Sequence, residues 1–318
     1  MADPTTNVQG TARALAIDAV TARVVSELRQ NGVGPLLLKG AAVSRWLYGD
    51  DGSRWYADLD LLVGPQDLGR AEQVLGDLGF RRWLPVAGVN REESSDMWFR
   101  ERDGMNVDLH RSLVGVRAEP ATLWEAFAAD TRSITLEGTA VDTLGPAQST
   151  LHVVLHAAQH GVEARKPLQD LERAIEKVDA ETWRAAAELA RRVQAEEAFA
   201  AGLRLTTGGV ALAEQLGLAA DASTATLLRA SSAPHLALGI ERLATSPGFR
   251  GKSALLLRKL VPEPSFMRAW SPLARRGPLG LAAAYAWRPL YLAKGAPGAL
   301  LAWRHARRAA AGSDEPAQ

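Results

Sequence analysis

Two aspartates separated by a single residue, Asp58 and Asp60, lie in a short apolar run, RWYADLDLLV (54–63). Side chains two residues apart on a strand point to the same face, about 6.6 Å apart along the chain. Both carboxylates are therefore predicted to share one face, while Leu59 and Leu61 point into a core. Because like charges repel and are costly to remove from water, a positive group is expected between them.

A third aspartate belongs to a second predicted strand, MNVDLH (105–110). The alternation places Val107 and Leu109 on one face and Asp108 on the other. Three convergent carboxylates are typical of a divalent-metal site, because Mg²⁺ prefers oxygen ligands and shares its coordination shell with substrate phosphates. Two such ions can hold the attacking and leaving oxygens of a nucleotidyl transfer. The pattern thus favours a Mg²⁺ or Mn²⁺ site.

A glycine turn precedes these carboxylates, where the predicted strand PLLLK (35–39) ends at Gly40. Glycine lets the backbone approach a phosphate, and the N–H groups at the start of a helix favour anions. In this interpretation Lys39 adds a point charge to a nucleotide-binding turn. The alternative is that Lys39 is a capping or surface lysine.

Composition limits the class of protein. The chain has 318 residues, 47% hydrophobic and 23% charged, which is globular composition for one large or two ordinary domains. It has no cysteine, which excludes disulfides, thiolate catalysis and cysteine-type zinc sites. No signal peptide is recognised, and the longest uncharged apolar stretch (279–287) falls far short of the roughly 20 residues of a membrane span. We expect a soluble, cytoplasmic protein.

The predicted elements divide the chain into three regions. Up to residue 145 the pattern alternates between helices and strands, from 146 to 248 it is helical, and 249–318 forms a basic helical extension with a disordered tail at 312–318. The extension has 12 Lys/Arg against 3 Asp/Glu, so the rest of the chain is acidic. The predicted fold class is α+β, with a helical C-terminal domain. The predicted helices of the first region are 9–31, 41–48, 64–80 and 121–129, and its predicted strands are 35–39, 54–63, 81–86, 96–102, 105–113 and a hairpin at 132–144.

Taken together, these motifs resemble the uncharacterised nucleotidyltransferase group of the DNA polymerase beta-like superfamily. The resemblance is carried by LLLKGAAVSRWLYGDDGSRWYADLDLLV (36–63), by VDLH (107–110), and by the later LHVVLHAAQH, LQDLERAIEKV, AETWRAAAELA and VPEPSFMRAW. It implies a small mixed sheet flanked by helices, with metal bound by Asp58, Asp60 and Asp108. Asp108 would also accept the proton of an acceptor hydroxyl. The superfamily usually has glycine or serine after the turn glycine, whereas this chain has Ala41, so a serine contact to phosphate is missing and Lys39 is expected to compensate.

Arginine and histidine residues complete the candidate site. Arg54 is expected to meet a triphosphate, or alternatively to orient Asp58 or Asp60 through an ion pair. His110 shares the face of Asp108 and is expected near the metal ligands. His156 and His160, with His152, recur every four residues on one helix face. The resemblance favours contact of His156 or His160 with substrate; the alternatives are packing histidines or a zinc site.

These features predict an enzyme that transfers a nucleoside monophosphate from a nucleoside triphosphate and releases pyrophosphate. ATP is the expected nucleotide, and the expected acceptor is a small molecule, peptide or protein. Nucleic acid is disfavoured, because an acidic catalytic half repels a polyanion. A catalytically degenerate nucleotide-binding scaffold and an Asp-x-Asp glycosyltransferase are the alternatives. The basic, aromatic C-terminal region could bind RNA, an anionic peptide or an acidic membrane surface, or could simply cap the helical domain.

Overall fold

A mixed sheet forms the centre of the N-terminal region in the computed structural model, which describes residues 4–49, 54–83 and 94–312. Within these ranges the sheet has seven strands in the order β3-β4-β5-β2-β1-β7-β6. The β2–β5 and β1–β7 pairs are parallel and the other neighbours are antiparallel. The strands are β1 (Leu36–Leu37), β2 (Leu59–Leu62), β3 (Arg81–Arg82), β4 (Ser95–Arg100), β5 (Met105–His110), β6 (Thr131–Leu136) and β7 (Thr139–Leu144).

Helices cover both faces of this sheet. The first, α1 (Pro4–Gln30), buries Ile17, Val24 and Leu28 at helical spacing against one face. Leu59 and Leu61 of β2 point into the same core. Leu62 points to the opposite face and packs with the C-terminal helices. The other helices of this region are α2 (Ala41–Val43), which continues as a π-helical turn (Ser44–Tyr48), α3 (Leu68–Asp77) and α4 (Pro120–Ala128).

The two predicted hairpins are confirmed. Strands β4 and β5 pair antiparallel around a turn in which Gly104 has a positive φ of 65°. Strands β6 and β7 join through Glu137 and Gly138, both with positive φ, as a two-residue hairpin turn of the favoured type requires. The predicted strand at 35–39 is shorter in the structure, and the predicted strand at 81–86 comprises Arg81–Arg82, with residues 84–86 outside the described ranges.

From Pro146 onward the described chain is helical. The Ala/Leu-rich stretch from residue 194 to residue 217 forms two short helices. Residues 50–53 of the predicted loop before β2 and residues 313–318 of the predicted tail lie outside the described ranges, and the predicted domain boundaries stay predictions. The helices are α5 (Pro146–His160), α6 (Arg165–Lys177), α7 (Ala180–Arg192), α8 (Glu196–Leu203), α9 (Thr207–Gln215), α10 (Thr224–Ala230), α11 (His235–Thr245), α12 (Gly248–Leu260), α13 (Pro264–Trp270), a 3₁₀ turn (Pro272–Arg275) and α14 (Gly277–Gly312).

The predicted α+β class is confirmed, since a mixed sheet is followed by a helical region. Leu62 of the sheet, Leu151 and Val154 of α5 and Trp183 of α7 belong to one hydrophobic cluster. Helix α5 therefore packs directly on the sheet face that carries the aspartates. Among the described residues, no helix has the length and apolarity needed to cross a membrane.

Helix α5 ends at Gly161, which fits tightly against the end of α10. Gly161 has a φ of 73°, and a Cβ atom there would lie 2.4 Å from the carbonyl oxygen of Arg229. The Val162 N–H donates to the carbonyl of Ala230 at 3.0 Å, and the Ser232 hydroxyl donates to the carbonyl of His160 at 3.2 Å. The glycine thus lets α5 and α10 meet.

We expect Gly161→Ala to destabilise the protein more than Gly217→Ala. Gly217 has a similar φ of 64° but nothing within 4 Å of an added Cβ, so it isolates the backbone effect. The control should cost about 1–2 kcal/mol, and the contact with α10 should add roughly 1–3 kcal/mol at Gly161. Urea unfolding of both variants measures this, and equal losses would contradict the proposed close packing.

Candidate active site

The aspartates of β2 and β5 lie side by side because the two strands are parallel and in register. Asp60 is directly opposite Asp108, and Leu62 is opposite His110. One carboxylate oxygen of Asp60, one of Asp108 and a ring nitrogen of His110 lie within 4.8 Å of one another. The structure therefore brings together three of the residues singled out from the sequence.

The positive group expected between Asp58 and Asp60 is the ammonium of Lys39. Its Nζ lies 3.1 Å from Oδ1 of Asp60 and 3.4 Å from Oδ2 of Asp58. Burial disfavours the ammonium, but the charges of Asp60 and Asp58 outweigh burial and raise the pKa of Lys39 above its ordinary value. Lys39 thus remains charged and neutralises part of the acidic cluster, whereas the sequence had suggested a phosphate contact or a surface lysine.

The neighbouring carboxylates have opposite pKa shifts. Burial disfavours the charge of Asp60, but Lys39 and a hydrogen bond with His110 outweigh it and lower the pKa of Asp60 to about 2. Burial and the negative charge of Asp60 raise the pKa of Asp108 to about 6. Asp60 is therefore a carboxylate at neutral pH, and Asp108 binds a proton more readily than an ordinary aspartate.

These residues fit a divalent cation. Oδ2 of Asp60 is buried and has no hydrogen-bond partner among the described residues, while Oδ1 meets His110 Nε2 at 3.2 Å. A buried carboxylate oxygen without a donor is costly, and a metal ion would satisfy it. The oxygens of Asp60 and Asp108 are the ligand type that Mg²⁺ and Mn²⁺ prefer. His110 orients Asp60, as neighbours of metal ligands commonly do.

Arg54 is buried and pairs with a residue that the sequence analysis did not select. Its Nε and Nη2 donate to the two carboxylate oxygens of Asp170 at 2.7 and 2.8 Å, and Nη1 donates to the carbonyl of Gly40 at 3.2 Å. Tyr48 donates to the same Asp170 carboxylate at 2.9 Å. Arg54 therefore joins α6 to the glycine turn. The expected ion pair of Arg54 with Asp58 or Asp60 is wrong, because Asp170 holds the guanidinium.

The glycine turn has a backbone conformation that only glycine readily adopts. Gly40 has φ 68° and ψ −120°, and it directly precedes α2. Its carbonyl accepts from the Ser44 N–H at 3.0 Å as well as from Arg54. Ala41 is buried in the core against α1, and it does not line the cavity described next.

A cavity of about 220 Å³ opens beside Asp58. Its lining includes Lys39, Gly40, Arg54 and Asp58, together with His156 and His160 of α5. Contact of His156 or His160 with substrate stays a prediction.

The three histidines of α5 contact one another in a row along the helix. His152 and His156 are stacked with ring centroids 6.1 Å apart, and His160 meets His156 edge-on at 4.6 Å. Burial lowers the pKa of His152 to about 3 and holds that of His156 well below its ordinary value. Both rings are thus neutral near pH 7. Within the described ranges, Asp60, Asp108 and His110 form the group of side chains close enough together to hold a metal ion. The α5 histidines are not part of that group, so the zinc alternative gains no support.

Comparison with known proteins now identifies the family. Residues 6–208 match the family model described as "Uncharacterised nucleotidyltransferase". The chain belongs to this nucleotidyltransferase family. The resemblance inferred from the sequence motifs is thereby confirmed.

Solved structures give weaker likenesses. The solution structure of the antibiotic-resistance factor ANT(2'')-Ia is 16% identical, with a TM-score of 0.41, covering 58% of this chain and 94% of that one. An antigenic nucleotidyltransferase-like protein from Paracoccidioides brasiliensis is 15% identical, with a TM-score of 0.35, covering 56% and 92%. No curated protein gives a significant match.

Family membership makes the protein a transferase of the nucleotidyltransferase class, acting on a nucleoside triphosphate. It leaves the roles of individual residues as predictions. The sequence analysis quoted Asp170 within LQDLERAIEKV but gave it no role, because a lone aspartate on an amphipathic helix is normally exposed. The available signal was its position on the apolar side of α6, beside Pro167, Leu171 and Ala174, which are also buried.

We expect Asp170→Asn to destabilise the protein by about 3–5 kcal/mol, because the variant leaves the buried charge of Arg54 without its partner. Asp142→Asn is the matched control. Asp142 pairs with Arg29 at 2.6 Å, but this pair is partly exposed, so its loss should cost no more than about 1 kcal/mol. Chemical unfolding measures both variants, and a similar small loss in each would mean that the Arg54 pair does not hold the site.

We also expect Asp108 to contribute less stability to the metal-free protein as pH rises. The folded pKa of Asp108, about 6, lies above its ordinary value of 3.8, so the folded state binds this proton more tightly. Stability from this residue is therefore complete below about pH 4 and is lost as pH rises through 6. Between pH 4 and pH 8 the wild type should therefore lose roughly 2 kcal/mol relative to Asp108→Asn.

Thermal unfolding in chelator and in Mg²⁺ tests this expectation. Added Mg²⁺ should stabilise the wild type at pH 8 and have little effect on Asp108→Asn. The variant Asp142→Asn should respond to Mg²⁺ like the wild type. If all three proteins respond equally, the ion is not bound at Asp108.

Proposed function

We propose that the protein transfers a nucleoside monophosphate from a nucleoside triphosphate, with ATP as the expected donor, to a hydroxyl or similar group on a small molecule, peptide or protein. The α-phosphorus of the triphosphate forms a bond to the acceptor oxygen, its bond to the β-phosphate oxygen breaks, and pyrophosphate leaves. A divalent ion, Mg²⁺ or Mn²⁺, would neutralise the charge that accumulates on the phosphates.

One observation carries this proposal. Asp60 and Asp108 stand opposite each other on parallel strands, and a buried carboxylate oxygen of Asp60 has no protein partner within the part of the chain that the structure describes. A fold gains nothing from holding two acidic groups this close unless another group uses them, since each raises the cost of ionising the other. Their position beside a cavity lined by Lys39 and Gly40 supports use by a metal-bound nucleotide.

The residues have separate proposed roles. Asp58, Asp60 and Asp108 hold the metal, and Asp108 also accepts the proton of the acceptor hydroxyl. The raised pKa of Asp108 suits proton acceptance, because a base works best when its pKa approaches the operating pH. Lys39 and Gly40 line the cavity and face the phosphates, whereas the buried Ala41 supports the turn from the core. Arg54 acts as a positioning residue through the Gly40 carbonyl, and His110 through Asp60.

The histidines of α5 contribute to the proposed substrate wall. His156 and His160 line the cavity together with Lys39. The pKa values of both rings lie below the ordinary value, so both are neutral near pH 7 and donate or accept hydrogen bonds without adding charge to the phosphate site. This suits contact with a sugar or an acceptor hydroxyl.

A second cavity supports a small-molecule or peptide acceptor. It has a volume of about 500 Å³, lies between α5, α10 and α11, and shares His160 and Ala164 with the first cavity. That volume is typical of small-molecule sites. It has both polar and apolar walls, including Glu163 and Leu238. An acceptor bound there would reach the phosphates past His160.

One observation favours a second candidate, a nucleotide-binding scaffold without activity. Lys39 occupies the space between Asp58 and Asp60, where a cation is expected, and Ala41 replaces the usual glycine or serine. In a scaffold, the lysine permanently substitutes for the metal. In the enzyme, Lys39 shifts toward the phosphates or shares its donors with them.

Label transfer tests the proposal. The full chain is incubated with each α-³²P-labelled nucleoside triphosphate and Mg²⁺, with cell extract as the source of acceptors. We expect label to appear on an acceptor with ATP, to require the divalent ion, and to fall by at least about 100-fold in Asp108→Asn. The double variant Asp58→Ala/Asp60→Ala should abolish transfer.

Two comparisons separate the enzyme from the scaffold. Asp142→Asn removes an aspartate from the same sheet and should transfer label like the wild type. A wild type that binds nucleotide yet labels no acceptor, with Lys39→Ala gaining Mg²⁺ affinity, would identify the scaffold. A wild type that neither binds Mg²⁺–nucleotide nor differs from the double variant would refute both.

A further inference from the structure

The last long helix has an exposed apolar side. Within α14, Leu279 is 86% exposed, Trp287 57%, Leu290 61% and Leu301 58%. Large apolar side chains this exposed are ordinary when isolated, but a contiguous set marks an interaction surface. These four extend over 22 residues of helix, about 33 Å.

Helical geometry places these side chains on one face. At about 100° per residue, Leu279, Trp287, Leu290 and Leu301 fall within roughly 80° of one another around the helix axis. Ala284, Arg288, Ala299 and Ala306 fall on the opposite side and are buried. The helix thus packs on the protein with a face of small residues and turns its larger apolar side chains outward, the reverse of an ordinary surface helix.

Helix α12 lies on another side of α14. It has no buried residue, and Phe249 and Leu257 are 85% and 63% exposed. It meets α14 at Arg288, whose Nε donates to the carbonyl of Lys259 at 2.8 Å, on the side away from Leu290. We call the exposed apolar side chains of α14, Leu279, Trp287, Leu290, Tyr291 and Leu301, the C-terminal apolar face.

The charges around this face have one sign. Neither α12 nor α14 contains an aspartate or glutamate. Lys294 and Arg308 lie on the same side of α14 as Leu290, and Arg250 and Lys252 belong to α12. From Phe249 to the end there are 12 Lys/Arg against 3 Asp/Glu, whereas the first 248 residues have 25 against 33. An anionic surface would therefore attract this end of the protein and repel the rest.

We propose that the C-terminal apolar face binds the surface of an anionic phospholipid membrane, with α14 lying in the plane of the interface. Helices that lie on membranes combine Leu, Phe and Trp on one face with Lys and Arg beside it. Trp287 and Tyr291 are the residue types that anchor proteins at headgroup level. The proposal goes beyond nucleotidyl transfer and does not depend on it.

Other occupants fit the face less well. A symmetric pair of copies would bring two basic surfaces together, because a two-fold contact matches a patch to itself. Nucleic acid would complement the basic residues but would leave the leucines against polar phosphates. An anionic membrane complements the basic residues and also buries the apolar side chains.

Vesicle flotation of the full chain tests the proposal. With phosphatidylcholine vesicles containing phosphatidylglycerol, we expect the protein to float with the lipid, at least about tenfold more strongly than with phosphatidylcholine alone. Raising the salt concentration should reduce binding, because it screens the basic residues.

Matched variants locate the contact. Leu279→Glu/Leu290→Glu should lower vesicle binding about tenfold or more, with an unchanged circular dichroism spectrum. Val210→Glu, an exposed apolar residue of α9 in the acidic part, should bind like the wild type. The proposal is overturned if the wild type does not bind anionic vesicles, or if the double variant binds them as strongly as Val210→Glu does. It is also overturned if the double variant changes only self-association or RNA binding.

Discussion

The close approach of the buried carboxylate of Asp60 and the half-buried carboxylate of Asp108 is the constraint on which the architecture depends. Parallel pairing of β2 with β5 holds them opposite each other. Such a pair is unfavourable by itself, and the fold compensates with neighbours from both strands and beyond. Lys39, which follows β1 next to β2, reaches Asp60 at 3.1 Å, and His110 of β5 reaches it at 3.2 Å. The strand order thus brings both Lys39 and His110 to Asp60.

A second buried pair joins the two halves of the chain. Arg54 precedes β2, and Asp170 lies on α6, 116 residues later. Because Arg54 also donates to the carbonyl of Gly40, the glycine turn and the helical region are held by one guanidinium. Arginine suits this position, since its planar fork satisfies two carboxylate oxygens and has a donor left. Arg173 of α6 extends the same junction by donating to the carbonyl of Leu47 at 2.9 Å. Helix α6 is therefore fixed to the glycine turn that lines the cavity.

Local patterns predicted the local parts of this structure. Alternation around Asp58 and Asp108 identified the strands, and the Asp103–Gly104 turn identified the hairpin, because these signals act between residues close in sequence. Long-range partners left weaker signals. The burial of Asp170 depends on Arg54 across 116 residues, and the position of Lys39 depends on which strand lies beside β2. The sequence required a positive group between the aspartates, yet only the strand order shows that a lysine supplies it.

The lysine between the aspartates is compatible with a working metal and phosphate site. An ammonium has three N–H donors, and in this structure two carboxylates, Asp58 and Asp60, take two of them. One donor remains for a phosphate at the cavity that Lys39 lines. The other oxygen of Asp60, Oδ2, has no partner in the described ranges and remains available to a metal ion. Lys39 thus reduces the repulsion among the aspartates without using the ligand atom that metal binding requires, so the same side chain can stabilise the free protein and serve a bound nucleotide.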